Sequence, residues 1–184
     1  MANEIKAKTN GSVSLFGNDL SKGFENMTQE DMALPFIRIL GQLSPQVTDG
    51  DSKFIDGAKP GMIYNTVTND LFDGKKGIKV IPCYYKKDYP EWSDRGDGPG
   101  APVATHSPGS PVIQTGKRDG SKIRLPNGNY LEETAYYYVM VENKQGGYSP
   151  ALITMKSTQL SVSKKWNSMM KSVQIDDGKG GFAV

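Results

Sequence analysis

The chain has 184 residues, 36% of them hydrophobic, with 22 Lys and Arg against 20 Asp and Glu for a net charge of +2. One domain with elaborations can bury a core at that length without a disulfide or metal staple, and the single cysteine, Cys83, excludes an internal disulfide and fits a reducing cytoplasm. No run approaches the roughly 18 apolar residues of a membrane helix, the N-terminus lacks an apolar signal region, and one histidine with one cysteine excludes a zinc-finger ligand set.

Residues 1–27 are polar and rich in Asn, Gly and Ser, which predicts a flexible N-terminal arm. Thr28 and Asp31 have capping spacing, but Pro35 ends any helix there. Leu34 to Leu43 is apolar with one charge and predicts a largely buried strand. Ala58-Lys59-Pro60-Gly61 marks a turn, Met62 to Thr68 a short strand, and Asp73-Gly74 a hairpin connection. Ile78 to Lys87 is a clear strand in which Pro82 predicts a bulge or an edge. Residues 93–133 are Gly- and Pro-rich and predict a long loop or β-ribbon insertion, with Asn127-Gly128 as a hairpin turn. Thr134 to Glu142 and Tyr148 to Met155 should pair across the turn at 143–147.

Ser157 and Thr158 are cap candidates for one amphipathic helix, with Val162, Trp166, Met169, Met170 and Val173 on its apolar face. Residues 176–184 read as a linker-like tail. The expected fold is therefore mainly β: a small antiparallel five-stranded barrel over residues 28–175, with ribbon insertions and one C-terminal helix.

Charge is unevenly placed. Residues 1–56 carry five basic and eight acidic side chains, residues 75–124 ten basic and five acidic, and residues 156–171 four lysines and no acid. That pattern suits either a local anion-binding surface or a mixed solvated one. Its sharpest feature is the run Tyr84, Tyr85, Lys86, Lys87, Tyr89, Trp92 and Arg95, which interleaves flat side chains with cations. Single-stranded nucleic acid needs that combination, because bases stack on the rings and phosphates follow the charges; tyrosines filling a barrel core are the alternative. Strand alternation puts Tyr137, Val139 and Val141 toward the core and Tyr136 and Tyr138 on the opposite face with Thr134 and Glu142. Lys117, Arg118, Lys122 and Arg124 decorate the ribbon, which either closes over a bound strand or is only a soluble loop. Lys164 and Lys165 lie off the helix stripe, as phosphate contacts or as a solvated face, while Trp166 belongs to the core.

Three segments, LPFIRILGQLSPQV, GAKPGMIYNTVTNDLFDGKKGIKVIPCYYKKDYPEW and STQLSVSKKWNSMM, resemble as an ordered set a group of phage-encoded single-stranded DNA-binding proteins with an OB-type fold. The resemblance covers residues 34–92 and 134–173 and is one of texture and order, without a strict signature. It implies an OB-like barrel, a role in coating and protecting single-stranded DNA during phage replication or recombination, and a ligand lying across an exposed sheet face. It places Tyr64, Tyr84, Tyr85, Lys86, Lys87 and Trp92 in that interface. Many such binders end in an acidic tail; this chain ends DDGKGGFAV.

The resulting expectation is a non-catalytic, sequence-tolerant single-stranded DNA-binding protein of the infected host cytoplasm. It needs no metal or cofactor, and replication or recombination proteins of the phage are further partners. A phage structural or assembly protein is the alternative, and a metal-dependent nuclease built on scattered aspartates a third.

Overall fold

A computed structural model of the chain describes residues 28, 31–94, 101–144 and 146–173, with the backbone of 175–176 and 182–183. The arm at 1–27 and Arg95 lie outside the described residues. The chain divides into two units, Met1–Ala33 and Leu34–Val184. In the first, Asp31 Oδ2 accepts from both the Thr28 backbone N–H and its hydroxyl at 2.8 Å, the contact that the capping spacing predicts.

The second unit is mainly β. Its strands are β1 (Phe36–Ile39), β2 (Ile63–Asn65), β3 (Leu71–Phe72), β4 (Val80–Trp92), β5 (Ala104–His106), β6 (Lys117–Asp119), β7 (Lys122–Arg124), β8 (Tyr130–Glu132), β9 (Thr134–Glu142) and β10 (Tyr148–Lys156). They form one ten-stranded sheet in the order β3-β2-β1-β10-β9-β4-β8-β7-β6, with β5 also on β4. Among the described residues only the β1–β10 pair is parallel. A short helix α1 (Pro111–Thr115) precedes β6, and the C-terminal helix α2 is Leu160–Ser172. Ile175–Asp176 pairs separately with Phe182–Ala183.

The expected closed five-stranded barrel is thus not the arrangement: among the described residues β3 and β6 are free ends of an open sheet. The reason lies in β4, whose 13 residues are long enough to serve two sets of neighbours. Its first part pairs with β9 and its last residues pair with β5 and β8. The 93–133 insertion therefore extends the sheet. Register shifts between Pro82 and Tyr84, so the proline is accommodated at a bulge as its missing donor requires.

Two apolar clusters lie on one face of this sheet. The larger holds Ala135, Tyr137, Val139, Val141, Ile37 and Ala151, with Leu160, Trp166 and Met170 of α2 packed on it. The smaller holds Ile123, Leu125 and Leu131, with Tyr89, Val112 and Ile113 against it. Tyr137 is fully buried, and its hydroxyl sits 2.7 Å from Ser163 Oγ and 2.8 Å from Asn167 Oδ1. That polar anchor explains why the helix stripe runs through Leu160, Ser163, Trp166 and Met170. Val162, Met169 and Val173, expected on the packed face, are exposed. A 3-10 turn, Ser157–Gln159, leads into α2, and neither Ser157 nor Thr158 supplies a side-chain cap. Near the start of the unit, Ile37 and Leu40 are buried but Ile39 and Leu43 are exposed, so Leu34–Leu43 is not a largely buried strand; only four of its residues are in β1 and a turn follows. The β2–β3 connection is Thr66–Asp70, with Asn65 N–H donating to the Asp70 carbonyl at 3.0 Å. Asp73-Gly74 instead turns the chain after β3.

Candidate nucleic-acid interface

Side chains two apart on a strand share a face, and residues paired across strands share it too. Tyr84 pairs with Tyr138, Lys86 with Tyr136, and Trp92 with Tyr130. Tyr130 pairs with Arg124, Glu132 with Lys122, and Thr134 with Lys156. All of these lie on the face opposite Tyr137 and therefore opposite α2. Tyr85, Lys87 and Tyr89 have the other parity: Tyr85 pairs with Tyr137, Lys87 with Ala135, and Tyr89 packs on the smaller cluster.

On the helix-free face the rings and cations touch. Tyr84 and Tyr138 rings lie 5.6 Å apart at 52°. Lys86 Nζ is 5.2 Å from the Tyr136 centroid, Lys122 Nζ 3.7 Å from that of Tyr130, and Lys156 Nζ 5.9 Å from that of Trp92. Arg38 on β1 stands 5.3 Å over Phe36. Cation–π contact holds each ammonium or guanidinium beside a ring without neutralising it. Several cations also have carboxylate partners: Lys86 with Asp88 at 2.9 Å, Lys156 with Glu132 at 2.7 Å, and Arg124 with Asp94 at 3.0 Å. The Arg124–Asp94 pair is exposed on both sides and contributes about 0–1 kcal/mol, so a phosphate can exchange for Asp94 there. The hydrogen bond to Asp88 holds the Lys86 ammonium above its ordinary range. Burial, followed by the nearby Asp88 charge, pushes the Tyr136 phenol upward. The lysine thus stays charged and the phenol neutral near pH 7.

A cleft of about 510 Å³ opens at one side of this face. Phe36, Trp92 and Tyr136 supply its flat walls, and Arg38, Lys156 and Glu132 its charges. A second cleft of about 500 Å³ shares Phe36 and Arg38 and adds Lys53.

The sixteen residues expected in the interface separate by geometry. Tyr84, Lys86, Trp92, Lys122, Arg124, Tyr136 and Tyr138 come together on one face. Lys117, paired with Arg124, joins its edge; Arg118, paired with the buried Ile123, takes the opposite parity. The basic ribbon is therefore paired sheet. Tyr64 pairs with Arg38 and so shares its face, lining the second cleft, but it is only 7% exposed, with its hydroxyl donating to Asn69 Oδ1 at 2.8 Å. Tyr85, Lys87 and Tyr89 belong to the core side, Lys87 bridging to Glu133 at 3.2 Å. Lys164 and Lys165 are exposed on α2, across the sheet from the ring–cation face. Arg95 is outside the described residues.

Phe36, Arg38, Tyr130 and Lys156 were missed. Their signals were present: Phe36 and Arg38 are two apart on one strand, and the Asn127-Gly128 turn sets Tyr130 opposite Arg124. His106 is tied to Glu91 of β4. Its Nε2 lies 2.7 Å from Glu91 Oε2, while Asn129 Nδ2 and Asn127 Nδ2 donate to Glu91 Oε1 at 2.6 and 3.1 Å. These bonds, Asn129 first and then His106, hold the Glu91 carboxyl below its ordinary range and tie the insertion to β4. Among the described residues no group of three or more His, Cys, Asp or Glu is placed to hold a metal ion. No described helix is long and apolar enough to cross a membrane.

The family model described as Pam3 phage gp34-like protein matches residues 7–184. No curated protein and no solved structure matches the chain.

Proposed function

The chain belongs to the Pam3 phage gp34-like protein family and is a phage protein, and we propose that it binds single-stranded DNA without catalysing a reaction on it. The observation that carries this reading is the row of rings and cations on the sheet face that α2 leaves open: Tyr84 with Tyr138, Lys86 over Tyr136, Lys156 near Trp92, and Lys122 over Tyr130. Stacking on such rings is worth about 1–3 kcal/mol per base and accepts any base, while the cations follow the phosphates. Duplex DNA hides its base faces and gains only the charge contacts.

On this reading the protein coats and shields exposed single strands during phage replication or recombination, in the cytoplasm of the infected host, with other proteins of those processes as partners. The run β2-β1-β10-β9-β4 around a helix-covered core supports kinship with an OB-like five-strand unit, opened and extended by the 93–133 insertion. The test is competition between labelled oligo-dT and unlabelled oligo-dT or duplex of equal length, read by fluorescence anisotropy. Single strands should compete far better and quench tyrosine and tryptophan emission. Equal competition by duplex, or no binding by either, overturns the proposal; self-assembly with indifference to both would favour a structural protein of the virion.

A further inference from the structure

A platform that accepts every base needs only flat faces and cations, and the 510 Å³ cleft contains more than that. Its wall includes Glu132, 8% exposed, whose Oε2 is 2.7 Å from Lys156 Nζ. A carboxylate repels phosphate, so within a groove for an anionic strand it is favourable only toward N–H donors. Trp92, on the same wall, carries the one buried side-chain nitrogen or oxygen that lacks a hydrogen-bond partner among the described residues, its Nε1. An unpaired buried donor costs about 1–3 kcal/mol.

Resting on the single-strand reading above, we propose that this cleft is a base-reading pocket selective for guanine within an otherwise sequence-tolerant interface. Guanine is the base whose Watson–Crick edge sets two donors, N1–H and an N2–H, side by side with the O6 acceptor next to them. Glu132 accepts the two donors. Lys156 has two protons beyond the one given to Glu132 and donates to O6. The base lies among Phe36, Trp92 and Tyr136, and Arg38 meets the adjoining phosphate. Cytosine and adenine each place one amino donor beside a ring acceptor, and thymine one imide donor between two carbonyls, so none of them satisfies the carboxylate twice. The cleft volume lies within the roughly 300–1,000 Å³ range of small-molecule sites.

Titration of the full chain with a (dT) oligomer, and with the same oligomer carrying one central dG, dA or dC, tests the assignment; a single guanine cannot form a quadruplex. A bidentate edge contact predicts about tenfold tighter binding for the dG oligomer and less than about twofold change for dA and dC. Glu132→Gln should bring the dG-to-dT ratio below about twofold. If that variant does not fold, competition by GMP against AMP, CMP and TMP on the natural protein gives the same reading, with GMP the strongest. Equal affinity for all four oligomers while oligo-dT binds overturns the pocket and leaves the single-strand reading intact. Absence of binding to any oligomer overturns both.

Discussion

Tyr84 and Tyr85 are neighbours in the sequence and lie on opposite faces of β4, so their alanine substitutions should fail differently. Tyr84 is 61% exposed, with its ring against Tyr138. Its removal forfeits little buried area but deletes one stacking platform, worth about 1–3 kcal/mol or roughly 5- to 150-fold in Kd. Tyr85 is 40% exposed and packs its ring 5.1 Å from that of Tyr137. Full burial of an aromatic is worth about 3–5 kcal/mol on truncation, so partial burial predicts a loss of about 1–2 kcal/mol of folding stability for Tyr85→Ala, with Kd for DNA changed less than about twofold. Anisotropy with labelled oligo-dT gives the first quantity and urea unfolding the second. Equal loss of affinity in the two variants would refute the face assignment, leaving a linear aromatic and basic segment to act without regard to the sheet.

Tyr137→Phe should cost about 1–3 kcal/mol by stranding Ser163 Oγ and Asn167 Oδ1, and urea unfolding should show α2 loosening with it; a change below about 0.5 kcal/mol would contradict that role. Glu91 has a lowered pKa in the folded state, so its stabilisation is present above the ordinary value of 4.5 and is lost as pH falls through the folded value. Glu91→Gln should therefore unfold more easily at neutral pH and converge with the natural protein in acid, which urea midpoints at several pH values will show. Gly116→Ala should destabilise by about 1–3 kcal/mol, because a Cβ there collides with Ile123 Cγ2 and comes within 2.9 Å of the Arg124 carbonyl oxygen; thermal unfolding measures it.

The sequence displayed the hairpin β9–β10 almost residue for residue, because alternation over nine residues fixes both strand and face. It also displayed the bulge at Pro82 and the core placement of Tyr137 and Trp166. The interface was half legible for a related reason. A run of aromatic and basic residues in β4 has no face until the strand period is read along it, and from Tyr84 to Trp92 that period separates Tyr84, Lys86 and Trp92 from Tyr85, Lys87 and Tyr89. The open sheet was not legible, because the strands from 104 to 132 are three residues each, too short for a period. The polar stripe of α2 was hidden because Ser163 and Asn167 serve the Tyr137 hydroxyl, which no apolar pattern reports.

The salt dependence of oligo-dT binding tests the central claim most directly. Among the described residues five cations lie on the ring-bearing face, Arg38, Lys86, Lys122, Arg124 and Lys156, with Lys117 at its edge, and three of the five have carboxylate partners. Two to four phosphate contacts then predict a slope of log K against log salt of about −1.4 to −2.8, with residual binding at high salt supplied by stacking. A slope near zero, or binding that vanishes at high salt without any quenching of ring fluorescence, would contradict the account.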